Sequence, residues 1–176
     1  NVEARFVLAL IHQQRQDNRA AVDNFRKVLE LDPDHAGAYY NLGTIYQNAG
    51  RLAQALAARQ EFIRLRPRYA QAYYSLGVLY YQLGRYRESL TSSQQGLKLE
   101  DSPGFYYNMA LAYAKTDRRD EARAVLEALL ERTPEDANAH FLLGNFHAES
   151  NQREKAAVHY GKVLEIDPVH VRAAAI

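Results

Sequence analysis

The 176 residues are enough for one ordinary domain, and 47% apolar with 24% charged residues is a balance that excludes wholesale disorder. A net charge of +1 lacks the basic excess of a nucleic-acid binder, and the longest uncharged apolar run, FVLALI at 6–11, falls short of the roughly 18 to 20 residues of a membrane span. With no cysteine there is no disulfide, thiol nucleophile or zinc–thiolate site.

Pro33, Pro67, Pro103, Pro134 and Pro168 recur at intervals of 34, 36, 31 and 34 residues, which predicts a repeat array. The rows are 2–35, 36–69, 70–102, 103–136 and 137–170, and 171–176 reads as the start of a further helix. Each row holds two helical patterns of about 14 residues around a turn. Row one carries Leu8, Ala9, Ala21, Phe25 and Pro33. Row two carries Tyr39, Leu42, Gly43, Tyr46, Ala55 and Pro67 and turns at Gly50; row three carries Tyr73, Leu76, Gly77 and Tyr80 and turns at Gly84. Row four carries Tyr106, Met109, Ala110, Tyr113, Ala122 and Pro134 and turns at Asp117. Row five carries Leu143, Gly144, Ala156, Tyr160 and Pro168 and turns at Asn151. Gly, Asp and Asn tolerate the left-handed conformation that ends a helix.

These residues, in register over nearly the whole chain, resemble the tetratricopeptide repeat family, whose pattern is an aromatic at position 4, Leu at 7, Gly or Ala at 8, Tyr at 11, Ala at 20, an aromatic at 24 and Pro at 32. The resemblance implies an all-α fold, a right-handed superhelix of antiparallel helix pairs. Positions 8 and 20 are expected to face each other, where only small residues let two helix backbones approach closely. Row three departs from the pattern: Ser89, Ser93 and Gly96 lie along its second helix, and no proline ends it. Asp101 and Ser102 instead read as an N-cap before Pro103 at the first helical position, so the irregular joint is expected at 96–104, either softer than the others or simply tolerated.

The resemblance further implies that positions 2, 5, 6, 9, 12 and 13 of the first helices line a concave groove. Position 5 is aromatic in every row: Phe6, Tyr40, Tyr74, Tyr107 and Phe141. Asn41, Ser75 and Asn108 at position 6, Thr44, Val78, Leu111 and Asn145 at position 9, and Gln47 and Tyr81 complete an aromatic, amide-rich, nearly uncharged candidate binding face. Tyrosine suits an interface because it joins apolar area to a polar tip, and asparagine can grip a peptide backbone by donating and accepting at once. A packing role for the position-5 rings stands beside the binding role. The family's carboxylate clamp, which needs Lys at position 5, is not expected, since Phe6 and Tyr40 stand there.

Residues 36–99 sum to +6, through Arg51, Arg59, Arg64, Arg66, Arg68, Arg85 and Arg87 on turns and second helices; an outer or edge side is expected, either solvated or facing an anionic partner. Arg59 stands where row two should have an aromatic. His140 and His147 replace the aromatics of positions 4 and 11, and packed neutral histidines fit them better than metal ligands do. No Gly-rich phosphate loop, HExxH or nucleophile elbow is present, and Glu135 with Asp136 suits a helix start.

The expectation is a non-catalytic scaffold, without cofactor or metal, that binds an extended peptide or a helix of a protein partner, with neither nucleic acid nor membrane insertion. Self-association through repeat ends and a role as the appendage of a larger enzyme such as a transferase are the alternatives. The chain opens at Asn1, no stretch reads as a signal peptide, and five repeats cut from a longer chain is the expected organisation.

Overall fold

A computed structural model describes residues 1–168; the helix start expected at 171–176 and the last two residues of the fifth row lie outside the described residues. Among the described residues ten helices follow one another: α1 (Val2–Gln14), α2 (Asn18–Leu31), α3 (Ala36–Asn48), α4 (Leu52–Leu65), α5 (Ala70–Gln82), α6 (Tyr86–Leu97), α7 (Pro103–Lys115), α8 (Arg119–Arg132), α9 (Ala137–Glu149) and α10 (Arg153–Ile166). The fold is all-α, with every row a helix pair. Two compact units divide between Glu100 and Asp101, the first containing α1–α6 and the second α7–α10.

Each pair closes through the same backbone device. Gln16, Gly50, Gly84, Asp117 and Asn151 adopt φ of 62°, 69°, 72°, 59° and 57°, and the next amide donates back to the carbonyl of position 11: Asp17 to His12, Arg51 to Tyr46, Arg85 to Tyr80, Arg118 to Tyr113 and Gln152 to His147, at 2.8–3.0 Å. This Schellman bond satisfies a carbonyl that the helix end would otherwise leave unpaired. Gln16 is the turn residue that composition does not flag, since glutamine has no preference for the left-handed region.

Between pairs, the polar tip at position 4 ties down the connecting loop. The Tyr73 hydroxyl donates to the Pro67 carbonyl at 3.0 Å, and His140 Nε2 reaches the Pro134 carbonyl at the same distance. Row four lacks a preceding proline, and there the Tyr106 hydroxyl donates to Asp101 Oδ1 instead. Ser102 is the N-cap of α7 and Pro103 occupies its first turn, but Ser102 makes no side-chain capping bond; Asp101 binds Tyr106 and pairs with Arg132.

The core runs along the inside of the pairs. Ala9, Ala21, Phe25 and Val28 in row one and Ala110, Ala122 and Leu126 in row four are fully buried. A buried Phe or Leu contributes roughly 1.5–3 kcal/mol through the apolar area it withdraws from water. In rows two and five the side chain nearest to the glycine at position 8 is the one at position 24. A β-carbon on Gly144 would lie 2.6 Å from Tyr160 Cε1, and one on Gly43 would lie 3.5 Å from Arg59 Cζ. The Tyr160 ring leaves no space for a methyl at Gly144, whereas Arg59 lies at ordinary contact distance from one at Gly43.

Candidate functional site

In the first unit, the expected face residues Phe6, Tyr40, Asn41, Thr44, Gln47, Tyr74, Ser75, Val78 and Tyr81 are all half-buried. In the second, Tyr107, Leu111, Phe141 and Asn145 are half-buried, whereas Asn108 is only 8% exposed. An amide buried to that extent is poorly placed to grip a peptide from solvent.

The position-5 rings are shared between exposure and packing. Phe6 lies 5.7 Å from the Phe25 ring and 4.5 Å from His35, and a β-carbon on Gly37 would meet its Cζ at 2.9 Å. Tyr40 packs 5.3 Å from Phe62 and meets Tyr69 edge-on at 6.3 Å. Phe141 lies 6.1 Å from Tyr160. The Tyr107 hydroxyl donates at 2.6 Å to Asp136, whose carboxylate also accepts from the Ala139 amide as the N-cap of α9. Burial and this carboxylate together raise the Tyr107 pKa, the first contributing most.

Several polar tips are already engaged within the fold. Asn41 Nδ2 donates to the Gly37 carbonyl at 2.8 Å, Ser75 Oγ to the Gln71 carbonyl at 3.0 Å, and Thr44 Oγ1 to the Tyr40 carbonyl at 3.1 Å. Asn145 Oδ1 accepts from the Tyr160 hydroxyl at 2.8 Å.

Arg59 is the correction. Its position on a second helix led to an outer or edge placement; it is instead 3% exposed. The side chain crosses α3 beside Gly43, with Cζ 4.8 Å from the centroid of the Tyr40 ring and Nη2 3.4 Å from Thr44 Oγ1. Nε and Nη1 are buried without a hydrogen-bond partner among the described residues. Burial lowers the Arg59 pKa, opposed by the nearby Tyr40 and Tyr69 hydroxyls. The glycine at position 8 beside an arginine at position 24 was the signal for this placement, because the repeat sends position 24 across position 8. The other arginines of this segment are exposed, with Arg64 paired to Asp34 and Glu61 and Arg85 paired to Glu88 and lying over Tyr80.

His140 and His147 are buried and join His159 of α10. The Pro134 carbonyl can only accept, so His140 carries its proton on Nε2 and its Nδ1 accepts from Nδ1–H of His159 at 3.0 Å. His147 stacks on His159 at 5.4 Å and 11° and bonds Gln152 Oε1 through Nδ1 at 2.6 Å. Among the described residues, no group of three His, Asp or Glu side chains is arranged to hold a metal ion, and no helix is long and apolar enough to cross a membrane.

Family models described as tetratricopeptide repeat match residues 2–35, 24–57, 70–103 and 107–170. The chain is 28% identical over 180 residues to the human protein O-mannosyl-transferase TMTC3, a match that takes in 98% of the chain but 20% of that protein's length. Among solved structures, MamA superposes with a TM-score of 0.87 at 22% identity, covering 97% of this chain and 94% of that one. YrrB, described as a TPR protein with an unusual peptide-binding site, gives a TM-score of 0.81 at 24% identity over 99% and 91% of the two chains.

Proposed function

The chain belongs to the tetratricopeptide repeat family, and from that premise we propose that it is a non-catalytic protein–protein interaction scaffold that holds an extended peptide or a helix of its partner against its first helices. One observation carries this reading: α3 and α5 leave Tyr40, Thr44, Gln47, Tyr74, Ser75, Val78 and Tyr81 half-exposed with no charged residue among them. Aromatic area with polar tips matches the composition of interface centres rather than of ordinary surface. Two or three buried anchors at about 1.5–3 kcal/mol each, less the cost of ordering, correspond to a dissociation constant on the order of 1 μM.

Selection from a displayed library of 12-residue peptides tests it, with binding read against Tyr74→Ala and Tyr81→Ala variants of unchanged helicity. Peptides that bind these variants as well as the parent would move the site off this face.

A second reading has its own support: the likeness to a much longer protein that bears a transferase name fits a recognition appendage of a catalytic chain. Transferase assays on the complete reading frame test it. Self-association draws support from Val7, Leu8, Leu10 and Ile11, which are exposed on α1, and light scattering across concentrations tests that reading. A strict monomer removes it.

A further inference from the structure

Tetratricopeptide row two puts a cation where the other rows put Phe25, Ser93, Leu126 and Tyr160, and all five of these side chains are buried. Two of the five reveal where a long position-24 side chain ends. The Tyr160 hydroxyl reaches Asn145, and Arg59 Nη2 reaches Thr44; both partners occupy position 9 of the first helix, on the stripe assigned above to partner binding. The Arg59 head therefore lies just beneath that face. It is covered by Tyr40, itself half-exposed, and Tyr40 is bordered by Tyr69, which is 46% exposed.

The electrostatics of this arrangement are incomplete. A guanidinium stays charged in proteins, and a buried charge is costly unless an opposite charge and hydrogen bonds compensate it. Arg59 has one long bond to a hydroxyl and the face of one ring, and Nε and Nη1 have no hydrogen-bond partner among the described residues. Of the acids in the first unit, Asp34 and Glu61 pair with Arg64 and Glu88 pairs with Arg85 rather than with Arg59. Removing the arginine is not the only way to complete the site; an anion supplied from outside does the same.

We propose that Arg59, beneath Tyr40 and Thr44, is an anchoring site for the carboxylate of an Asp or Glu side chain in a bound partner segment. Movement of the Tyr40 ring admits the carboxylate, which accepts from Nη1 and Nη2 along their shared edge, in place of the long contact to Thr44, while the ring remains beside the guanidinium. A single negative charge matches a single buried cation, and guanidinium and carboxylate present complementary planar edges. The +6 excess of residues 36–99, most of it exposed, draws an acidic segment toward the same unit. The site differs from a clamp built of first-helix lysines, because its cation comes from the second helix and lies against α3 at Gly43.

This inference rests on the partner-binding reading of the face, so its test has two arms. In the first, the Nε–H resonance of Arg59, assigned by its loss in Arg59→Lys, is followed by NMR as N-acetyl-glutamate N-methylamide, its glutamine counterpart or N-acetylglycine is added. A saturable shift with the glutamate compound, at least tenfold weaker with the glutamine compound and absent at exposed Arg64, is expected. N-acetylglycine reports whether a chain-terminal carboxylate competes, and a preference for it would overturn the side-chain assignment. Equal shifts with glutamate and glutamine compounds, equal shifts at Arg59 and Arg64, or no shift at all overturn the proposal.

In the second arm, peptides selected on the parent protein are remade in Glu/Gln and Asp/Asn pairs. A preference of at least tenfold for the acid at one position, lost in Arg59→Tyr, is expected; peptides that bind the α3 and α5 face with no such preference overturn the site and leave the scaffold reading intact. If no peptide binds while the glutamate compound still shifts Arg59, the scaffold reading fails and the carboxylate site stands.

Discussion

The hydroxyl of Tyr107 and the carboxylate of Asp136 meet at 2.6 Å, and because Asp136 caps α9, one hydrogen bond joins the candidate face of one helix pair to the start of the next. Tyr107 is thus part of the scaffold as well as of the face. Tyr107→Phe keeps the ring and loses a bond to a charged acceptor, so the second unit is expected to lose about 1–2 kcal/mol in urea unfolding. Tyr107→Ala is expected to lose more, because it also removes packed ring area. A neutral Tyr107→Phe would mean that water replaces the hydroxyl at Asp136.

The same repeat position predicts opposite outcomes in two rows. Gly144→Ala drives a methyl to 2.6 Å from the Tyr160 ring, and overpacking of this kind costs about 1–3 kcal/mol. Gly43→Ala meets Arg59 at 3.5 Å, an ordinary contact, and gains up to about 1 kcal/mol of helix propensity. Thermal unfolding of the two variants checks the difference in sign.

In α6 the hydroxyls of Ser89 and Ser93 are buried without a partner among the described residues, whereas Ser92 donates to the Glu88 carbonyl at 2.9 Å. Position 20, where Ser89 stands, is Ala in the other four rows. Ser89→Ala and Ser93→Ala each remove an unpaired buried group and are expected to stabilise the first unit by about 1 kcal/mol. Destabilisation by either substitution in chemical denaturation would show that the hydroxyl has found a partner.

His159 titrates at about 4 instead of 6.5, first because it is buried and then because His140 and His147 crowd it with like charge. Between those values the unfolded chain binds a proton that the folded chain refuses, so stability is complete above about pH 6.5 and declines as pH falls toward 4. The melting temperature of the second unit is expected to drop between pH 7 and pH 5, and His159→Gln to flatten that dependence. An equally steep profile in the variant would assign the effect to other groups.

The interior of the repeats was less legible than their ends. The small residues of position 8 are legible in the sequence, but the long side chain that lies against Gly43 and Gly144 is not, since a backbone approach and a crossing side chain make the same demand on composition. Gln16 was missed because a left-handed turn is imposed by the helix pair that it closes and leaves no mark when the residue is neither Gly, Asn nor Asp. Asn108 looked like its neighbour Asn41, yet one is buried and the other half-exposed.

Helix periodicity, turn spacing and proline placement were determined by the sequence alone, because each depends on residues a few positions apart, and the all-α class follows from them. Only tertiary structure decided where the long side chains end. Thr44 and Arg59 lie 15 residues apart in sequence, and their contact exists because α4 folds back along α3 and lays the guanidinium beside Gly43. A side chain's charge is written in the sequence, but its burial and its partners belong to the helices packed around it, and Arg59 moves from an expected edge to the interior for that reason.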